Sequence, residues 1–555
     1  MRTIHRIFSR PARNWPIPYN ALLRLRAYSS VANRQPNSTL SSDHEKADFA
    51  NRKLKLLEIG KPLYPLMESV QSETDAPAMM VQDFIEKYSS LEYGEPCEDF
   101  LTVHGRVMTI RRASKGLIFL DVYQNFRKVQ VVVRRQRTEL TPANFEQDHS
   151  LLRRGDIILA RGNPGRTKAG ELSLLANQSI QLLAPSLHPL PENLTNVVKR
   201  SHNRVVDILM HDEARERIQL RWTVMSYIRE FFNQRHFTEV HTPILSSSAG
   251  GASATPFSTV SEAEDKLRLS MRIAPELWLK RFIISGFDRV YEIGPCFRNE
   301  GIDATHNPEF TTCEFYQSFA SLSDLMTITQ ELLVGLVTRV GERHPFFNKP
   351  ISELQRQLIQ PIKVLDFVSE IEAQSGAKLP VDLACQTSLV AFYKSLNLAL
   401  PSPESPAKLL DHLAGIYIEP HCIEPTFVIN HPAVLSPLAK SHISQASIDQ
   451  DIPCRPLARR FELFIKGKEF ANAYEEENSP EVQSTKFRDQ LKDKMVFKDS
   501  EAPLPDDNYV RAMEWGMPPT GGWGLGIDRL CMLLTGATRI EQVLPFGSLR
   551  SVNKQ

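Results

Sequence analysis

The stretch that most limits what this chain can become runs from Arg289 to Tyr316. Arg289-Val290-Tyr291-Glu292-Ile293 and Phe310-Thr311-Thr312-Cys313-Glu314-Phe315-Tyr316 both alternate in the way of a strand with one buried face. A polar loop joins them, so the segment predicts an antiparallel hairpin. The loop carries Arg298, Glu300 and His306, and Phe310 opens the second strand. These four side chains suit a nucleotide. An arginine grips a phosphate with two parallel hydrogen bonds. A carboxylate can accept from an adenine amino group, and a flat ring can stack on the base. The same residues also fit a plain hairpin with a surface Arg–Glu pair, which is common and weak. The rest of the chain has to decide between the two.

At 555 residues the chain is too long for one ordinary domain, so two or more are expected. Hydrophobic content of 42% with 24% charged residues is globular usage and argues against a disordered or fibrous class. No run of eighteen apolar residues occurs, so no membrane span is expected. The net charge of +1 is unevenly spread. Residues 1–42 hold seven arginines, no lysine and no acid, which leaves −6 on the remainder. Any nucleic-acid contact in the body therefore needs a local basic patch. An arginine- and serine-rich, acid-free start predicts a mitochondrial transit peptide over residues 1–28 and delivery to the matrix. Ile4, Ile7, Phe8, Leu22, Leu23 and Leu25 can form its apolar face, and Arg26-Ala27-Tyr28-Ser29 looks like a processing site. A basic arm that binds nucleic acid is the alternative. The seven cysteines form no C-x-x-C pair, so neither zinc nor a disulfide framework is suggested.

Residues 29–95 read as a helical extension, in which Asn51 to Gly60 is a helix end with a glycine cap. Its basic face could meet RNA phosphates or simply water. Residues 96–185 change to short strands. These are Phe100–Val107, Leu117–Val122, Lys128–Val133, Asp156–Gly162 and Glu171–Leu175. Five strands with glycine turns predict an OB-type barrel. Arg112, Phe119, Arg127, Lys128 and Gln130 are expected together on its sheet, a mixture that suits single-stranded RNA. A barrel used only for protein contacts is the other reading. Prolines at 185, 189 and 191 mark a hinge over 186–205.

Residues 206–555 form the large domain. It opens with a helix over Glu213–Arg235, whose apolar positions are Ile218, Trp222, Met225, Ile228, Phe231 and Phe232. A strand over Phe237–Leu245 follows, closed by Pro243. Arg268–Arg272 is a strand and Ala274–Lys280 starts a helix. Ser323–Val340 is helical, and Pro345 to Glu404 is partly helical. Phe427–Asn430 is strand-like. Arg460–Ile465 and Lys468–Glu476 pair across Lys466-Gly467. Gly521-Gly522-Trp523-Gly524-Leu525-Gly526 is a glycine-rich strand entering an apolar helix, where a ligand can come close to the backbone. It is not a dinucleotide fingerprint, because no βαβ unit surrounds it.

Three features thus occur in order: a helix and strand ending at Pro243, a hairpin with Arg298, Glu300 and Phe310, and a glycine strand with Gly522, Gly524, Gly526 and Arg529. Together they resemble motifs 1, 2 and 3 of the class II aminoacyl-tRNA synthetases. The barrel in front resembles the subgroup that charges aspartate, asparagine or lysine. Within it the chain is most similar to lysyl-tRNA synthetases, in a mitochondrial form. The stretches that carry this are Met271–Lys280, Phe297–Tyr316, Pro425–Phe427, Ser436–Lys440 and Gly516–Gly522, and the likeness spans roughly residues 50–550. Two stretches depart from the family. Glu477-Asn478-Ser479-Pro480 stands where it has Leu-Asn-Asp-Pro, and Arg204-Val205-Val206-Asp207 where it has Arg-Tyr-Leu-Asp.

The resemblance implies an α+β fold: an N-terminal OB-type β-barrel, then a class II catalytic domain on an antiparallel sheet flanked by helices. It implies ATP-dependent joining of L-lysine to tRNA(Lys) by a homodimer. Arg298 and Arg529 would be catalytic. Arg298, Glu300, His306, Asn307, Phe310, Glu469, Gly526 and Arg529 would bind ATP. Glu276 and Glu314 would face the α-amino group of lysine, and Glu476 with Tyr316 its ε-ammonium, alongside Asn472. Glu462 and Glu469 would hold Mg²⁺, as hard oxygen ligands should. Arg112, Phe119, Gln130 and Glu171 would read the anticodon. Two alternatives stay open: a synthetase-like RNA-binding or scaffold protein without catalysis, and an aspartate- or asparagine-specific enzyme.

Overall fold

The computed structural model describes residues 43–58, 63–71, 76–94, 97–247, 250–252, 254–262, 266–443, 455–498 and 505–546. The expected transit peptide and the cap at Gly60 lie outside the described residues. The chain divides into two compact units, Met1–Asn193 and Leu194–Gln555. Residues 197–202, inside the expected hinge, are helical, and a second helix, 204–210, begins at its end.

The first unit is built from β1 (Leu101–Ser114), β2 (Leu117–Gln124), β3 (Arg127–Arg134), β4 (Ile157–Arg166), β5 (Leu172–Ala176) and β6 (Gln181–Ala184). Their order is β1-β2-β3-β5-β4-β6, and β1 also pairs with β4, which closes five strands into a barrel without a free edge. The sixth strand was not expected from the sequence. It is short, and its residues are all half-buried. Val103, Val107, Ile118, Leu120, Val122, Val129, Val131 and Val133 alternate into the core. Phe84 and Tyr88 of the helix Val81–Tyr88 complete this core, as does Phe145 of the helix Pro142–His149. The helix Asp43–Glu58 turns its basic residues two ways. Lys53 and Lys55 are exposed, but Arg52 is buried and donates to both carboxylate oxygens of buried Asp156 at 2.8 Å.

The second unit contains β7 (Thr238–Glu239), β8 (Leu245–Ser246), β9 (Ser258–Val260), β10 (Arg268–Met271), β11 (Arg289–Phe297), β12 (Glu309–Ser318), β13 (Lys363–Asp366), β14 (Thr426–Ile429), β15 (Ser441–Ile443), β16 (Pro456–Ala458), β17 (Arg460–Ile465), β18 (Lys468–Glu475) and β19 (Thr520–Gly526). Its main sheet has eight strands in the order β13-β14-β17-β18-β19-β12-β11-β7. The centre is antiparallel as expected, and the outermost pairs, β13–β14 and β7–β11, are parallel. The strand expected over Phe237–Leu245 shrinks to two short pieces, since Pro243 between them has no N–H to donate to a ladder.

Register gives this sheet two unlike faces. Tyr291, Ile293, Cys313, Phe315, Leu525, Trp523, Ala471, Ala473, Phe461 and Leu463 pair across strands and form one apolar face. The helices Asp212–Gln234, Leu322–Arg343, Asn348–Leu358 and Ile527–Thr535 cover it through residues such as Phe232, Leu332, Leu354 and Leu530. A ring such as Phe315, stacked 5.1 Å from Trp523, anchors the layer. The opposite face is polar. On that side the helix Glu276–Ile284 packs Leu279 and Ile283 against Val290 and Tyr316. Between residues 345 and 404 the structure adds the helices Phe367–Ser375 and Gln386–Ser395, which share a separate apolar cluster.

Candidate active site

The polar face is laid out in rows across the sheet. One row aligns Glu314, Gly524, Asn472 and Glu462 on β12, β19, β18 and β17. The next aligns Tyr316, Gly522, Tyr474 and Arg460, and Thr312 pairs with Gly526 beyond. Alternation places Gly522, Gly524 and Gly526 of β19 along the cavity, while the side chains of Trp523 and Leu525 point into the core. The glycines form the floor. A Cβ on Gly522 would sit 1.9 Å from Glu476 Oε1 and 2.5 Å from the Tyr316 ring, so only glycine fits there.

Above this floor lies a cavity of about 430 Å³. Every residue expected at the ATP and amino-acid positions lines it except Glu476, and Glu469 of the expected metal pair lines it without Glu462. The hairpin β11–β12 supplies one wall. Arg298 is half-buried, its guanidinium 5.0 Å from the centre of the Phe310 ring, and its Nε is a buried donor with no partner among the described residues. Asn307 donates to the Glu309 carbonyl at 2.6 Å, and its Oδ1 is likewise unpartnered. Glu300 stands exposed at the rim. Arg529 Nη2 donates to His306 Nε2 at 2.9 Å, and Nη1 to the Glu469 carbonyl at 3.1 Å. His306 Nδ1 lies 2.9 Å from Asp303 Oδ2, so the loop and the helix after β19 meet across the cavity. The unpaired Arg298 donor, with the Arg529 guanidinium across the cavity, makes a ready anion site.

At the other end three carboxylates converge. Glu314, Glu276 and Glu476 are 9%, 5% and 1% exposed. Burial pushes Glu314 up to about 8, with Glu276 adding to it and Arg298 opposing. Burial also raises Glu476, against the pull of Lys280. Glu476 Oε1 has no hydrogen-bond partner among the described residues. Tyr474 donates to Glu276 at 2.6 Å, and the Tyr316 hydroxyl lies 3.4 Å from Glu314 Oε2. Asn472 accepts from Arg460 Nε at 2.8 Å. Buried, under-satisfied carboxylates are places for cations. Lys280, Arg460 and Tyr474 escaped the sequence reading, although Lys280 stands one helical turn after Glu276, a spacing that puts both on one face.

The donor set fits a hard divalent ion. Glu462 is held low by Arg460 and His431, which outweigh its burial. Burial and the nearby Glu462 raise Glu469 to about 7. No cluster of three or more His, Cys, Asp or Glu that could hold a metal occurs among the described residues. Two carboxylates completed by substrate phosphates are the usual holding of Mg²⁺.

On the barrel, Phe119 lies on the outer face, since Ile118 and Leu120 point inward. Its cross-strand partner is Arg111, whose guanidinium is 5.5 Å from the ring. Arg112 pairs with Ile118 on the opposite face and donates to the His149 carbonyl at 2.5 Å. Gln130 shares the side of Phe119 but is 2% exposed. Its amide donates to Glu171 Oε2 at 2.6 Å and accepts from Ser173 at 3.0 Å. Glu171 also pairs with Lys128 at 2.8 Å. The structure thus brings Phe119, Gln130 and Glu171 together and leaves Arg112 apart; Arg111 is the arginine that sequence reasoning missed.

Comparison with known proteins agrees with this geometry. Residues 196–550 match the tRNA synthetases class II (D, K and N), and residues 101–189 match an OB-fold nucleic acid binding domain. The mitochondrial lysine–tRNA ligase of Schizosaccharomyces pombe is 40% identical over 532 residues, covering 94% of this chain and 97% of that protein. The mitochondrial lysine–tRNA ligase of Saccharomyces cerevisiae is 38% identical over 516 residues, 86% of this chain and 87% of its own. A probable cytoplasmic lysine–tRNA ligase of Encephalitozoon cuniculi is 40% identical over 483 residues, 84% of this chain and 90% of its own. The chain belongs to the class II (D, K and N) family of tRNA synthetases, alongside the lysine–tRNA ligases.

Proposed function

We propose that this protein joins L-lysine to tRNA(Lys) in mitochondria, using ATP and passing through lysyl-adenylate. The observation that carries this is the pairing of opposites at one cavity: an arginine donor without a partner among the described residues at one end, and at the other the buried carboxylates of Glu276 and Glu314 in its lining with Glu476 beside them. Lysine is a carboxylate with two ammonium groups. Its carboxylate suits Arg298, its α-amino group Glu276 and Glu314, and its ε-ammonium the free oxygen of Glu476 beside Tyr316 and Asn472. A neutral or shorter side chain leaves Glu476 Oε1 without a partner, which discriminates strongly.

In the first step a lysine carboxylate oxygen attacks the α-phosphorus and the bond to pyrophosphate breaks. Arg298 holds the two reactants as negative charge gathers on the phosphoryl oxygens, an arrangement that works by positioning and fixed charge. Glu300 accepts from the adenine amino group and Phe310 stacks on the base, for which the Arg298 guanidinium must leave the ring. His306 and Asn307 line the phosphate side, Arg529 covers the far face of the base, and Gly526 leaves room beneath. Glu462 and Glu469 would hold Mg²⁺, which supplies neutralising charge to the phosphates. In the second step the terminal ribose hydroxyl of the tRNA attacks the acyl carbon and AMP leaves.

The barrel face with Phe119, Gln130 and Glu171 is the proposed anticodon reader, with Arg111 beside Phe119 and Arg112 on the opposite face. The acid-free start and the mitochondrial ligases of two yeasts support delivery to the matrix. Homodimer formation through the helix Asp212–Gln234 is supported by Trp222, which is 62% exposed on it. No helix among the described residues is long and apolar enough to cross a membrane. Lysine-dependent exchange between pyrophosphate and ATP tests the proposal, run beside aspartate and asparagine. Exchange with lysine alone is expected, and its absence refutes the proposal. The mass of the protein from isolated mitochondria tests the removal of residues 1–28.

A further inference from the structure

Behind the amino-acid end of the cavity lies a buried cation. Lys280 is fully buried on the helix Glu276–Ile284. Its Nζ donates to Glu276 Oε1 at 2.5 Å and pairs with Glu476 Oε2. The ring centres of Tyr316, Tyr474 and Tyr509 lie 5.9, 5.5 and 5.9 Å from it. Carboxylates and tyrosine rings are what an ammonium requires once water is gone. The protein has therefore built one ammonium site into the wall that it shares with the substrate pocket, and filled it.

Charge counting gives that site a purpose. Glu276, Glu314 and Glu476 bring three buried carboxylates to this end. Lys280 matches one, and two remain. A diamino acid brings two ammonium groups, so pocket and ligand balance; a neutral amino acid brings one and leaves a charge unmatched. We propose that Lys280 is a specificity-determining residue: by binding Glu276 and one oxygen of Glu476 it holds both carboxylates in place, so that the remaining Glu476 oxygen accepts only a cationic side chain. This rests on the reading that the pocket takes lysine.

The groups facing Lys280 come from several elements. Glu276 lies on its own helix, Glu314 and Tyr316 on β12, and Tyr474 on β18 with Glu476 directly after it. Tyr509 comes from the helix Asp507–Met513, with Arg281 paired to Asp506 at 3.1 Å beside it. None of these replaces the Lys280 charge between Glu276 and Glu476. Without it, Glu476 loses the cation that opposes its burial, which favours its protonated form further. A protonated carboxyl no longer penalises a neutral side chain.

The test is the ratio of kcat/KM for lysine over norleucine, which lacks only the terminal amine, in pyrophosphate exchange from pH 6.5 to 9. Wild-type protein is expected to hold a high ratio throughout. Lys280→Met is expected to lower it by on the order of tenfold or more at neutral pH, chiefly through KM for lysine, and to regain part of it toward pH 9. Lys280→Arg, which keeps the charge, is expected to restore it at neutral pH. An unchanged ratio in Lys280→Met at every pH overturns the proposal. Wild-type protein that fails to activate lysine overturns the lysine reading instead. Should Lys280→Met not fold, as judged by its thermal melt, Lys280→Gln serves in its place, since its amide can still donate to either carboxylate. Should neither neutral variant fold, Lys280→Arg decides, and a lowered ratio there overturns the proposal.

Discussion

Two residues at opposite ends of the cavity make its chemistry testable. Arg298 is the buried donor left without a partner, and Phe310 beneath it gives the guanidinium a resting place. Arg298→Ala is expected to lower the rate of lysine-dependent exchange by on the order of 10² to 10³ while leaving the thermal melt intact, as loss of a donor to developing charge does. Exchange at the wild-type rate would refute the role. Glu314 carries a different signature. Burial raises its carboxyl from 4.5 to about 8 in the fold. The unfolded chain ionises it near 4.5, so its contribution to stability is complete below that pH and is lost as pH climbs through about 8. Wild-type protein without lysine is therefore expected to lose melting temperature relative to Glu314→Gln between pH 5 and 9. Saturating lysine is expected to narrow that loss, because its α-ammonium pairs with the ionised carboxyl. Parallel melting curves for the two proteins count against a buried, proton-holding Glu314.

The elements around the site are tied by one ionic joint. Asp528, next to Arg529, accepts from Arg221 of the helix Asp212–Gln234 and, at 2.7 Å, from the Thr311 backbone beside Phe310. Arg221 also donates to the Thr311 hydroxyl at 2.8 Å. The helix Asp212–Gln234, the hairpin and the helix that follows the glycine strand therefore share a buried pair. Arg221→Met strands the Asp528 charge and is expected to destabilise the protein by about 3 kcal/mol in a denaturant titration, with KM for ATP rising as Arg529 and Phe310 loosen. A variant with wild-type stability and KM shows the joint to be dispensable. The two departures from the family also have a physical account. Ser479 caps the helix Pro480–Phe497 by accepting from the Val482 N–H at 3.3 Å, the task an aspartate does. Glu477 is buried, and its charge is met by Lys486 at 2.9 Å. Ser479→Ala is expected to cost about 1 kcal/mol in the same titration. In Arg204-Val205-Val206-Asp207 the retained ends pair with each other, while Val205 is exposed.

At the scale of the molecule the two units divide the labour. In the proposed function, adenylate chemistry needs only the cavity of the second, whereas anticodon reading belongs to the barrel of the first. Phe119→Ala is expected to raise KM for tRNA in aminoacylation on the order of tenfold or more, since stacking on one base contributes about 1–3 kcal/mol. It leaves pyrophosphate exchange as it was, and a fall in exchange contradicts the division. What the sequence determined by itself was local. Strand periodicity, the glycine strand, the long helices and most of the residues around the cavity were legible, because alternation and turn chemistry act over a few neighbours. Both faces of the main sheet follow from that alternation once the strands are paired. Only the tertiary structure decided the rest. The pairing of β1 with β2 assigned Arg111 rather than Arg112 to the ring of Phe119. The closeness of Glu276 and Glu476, two hundred residues apart in the chain, turned Lys280 from an ordinary helical lysine into a buried counter-charge. A side chain's charge is written in its sequence. Whether that charge is bare or matched depends on which distant groups share its desolvated space, and only the packed fold brings those groups together.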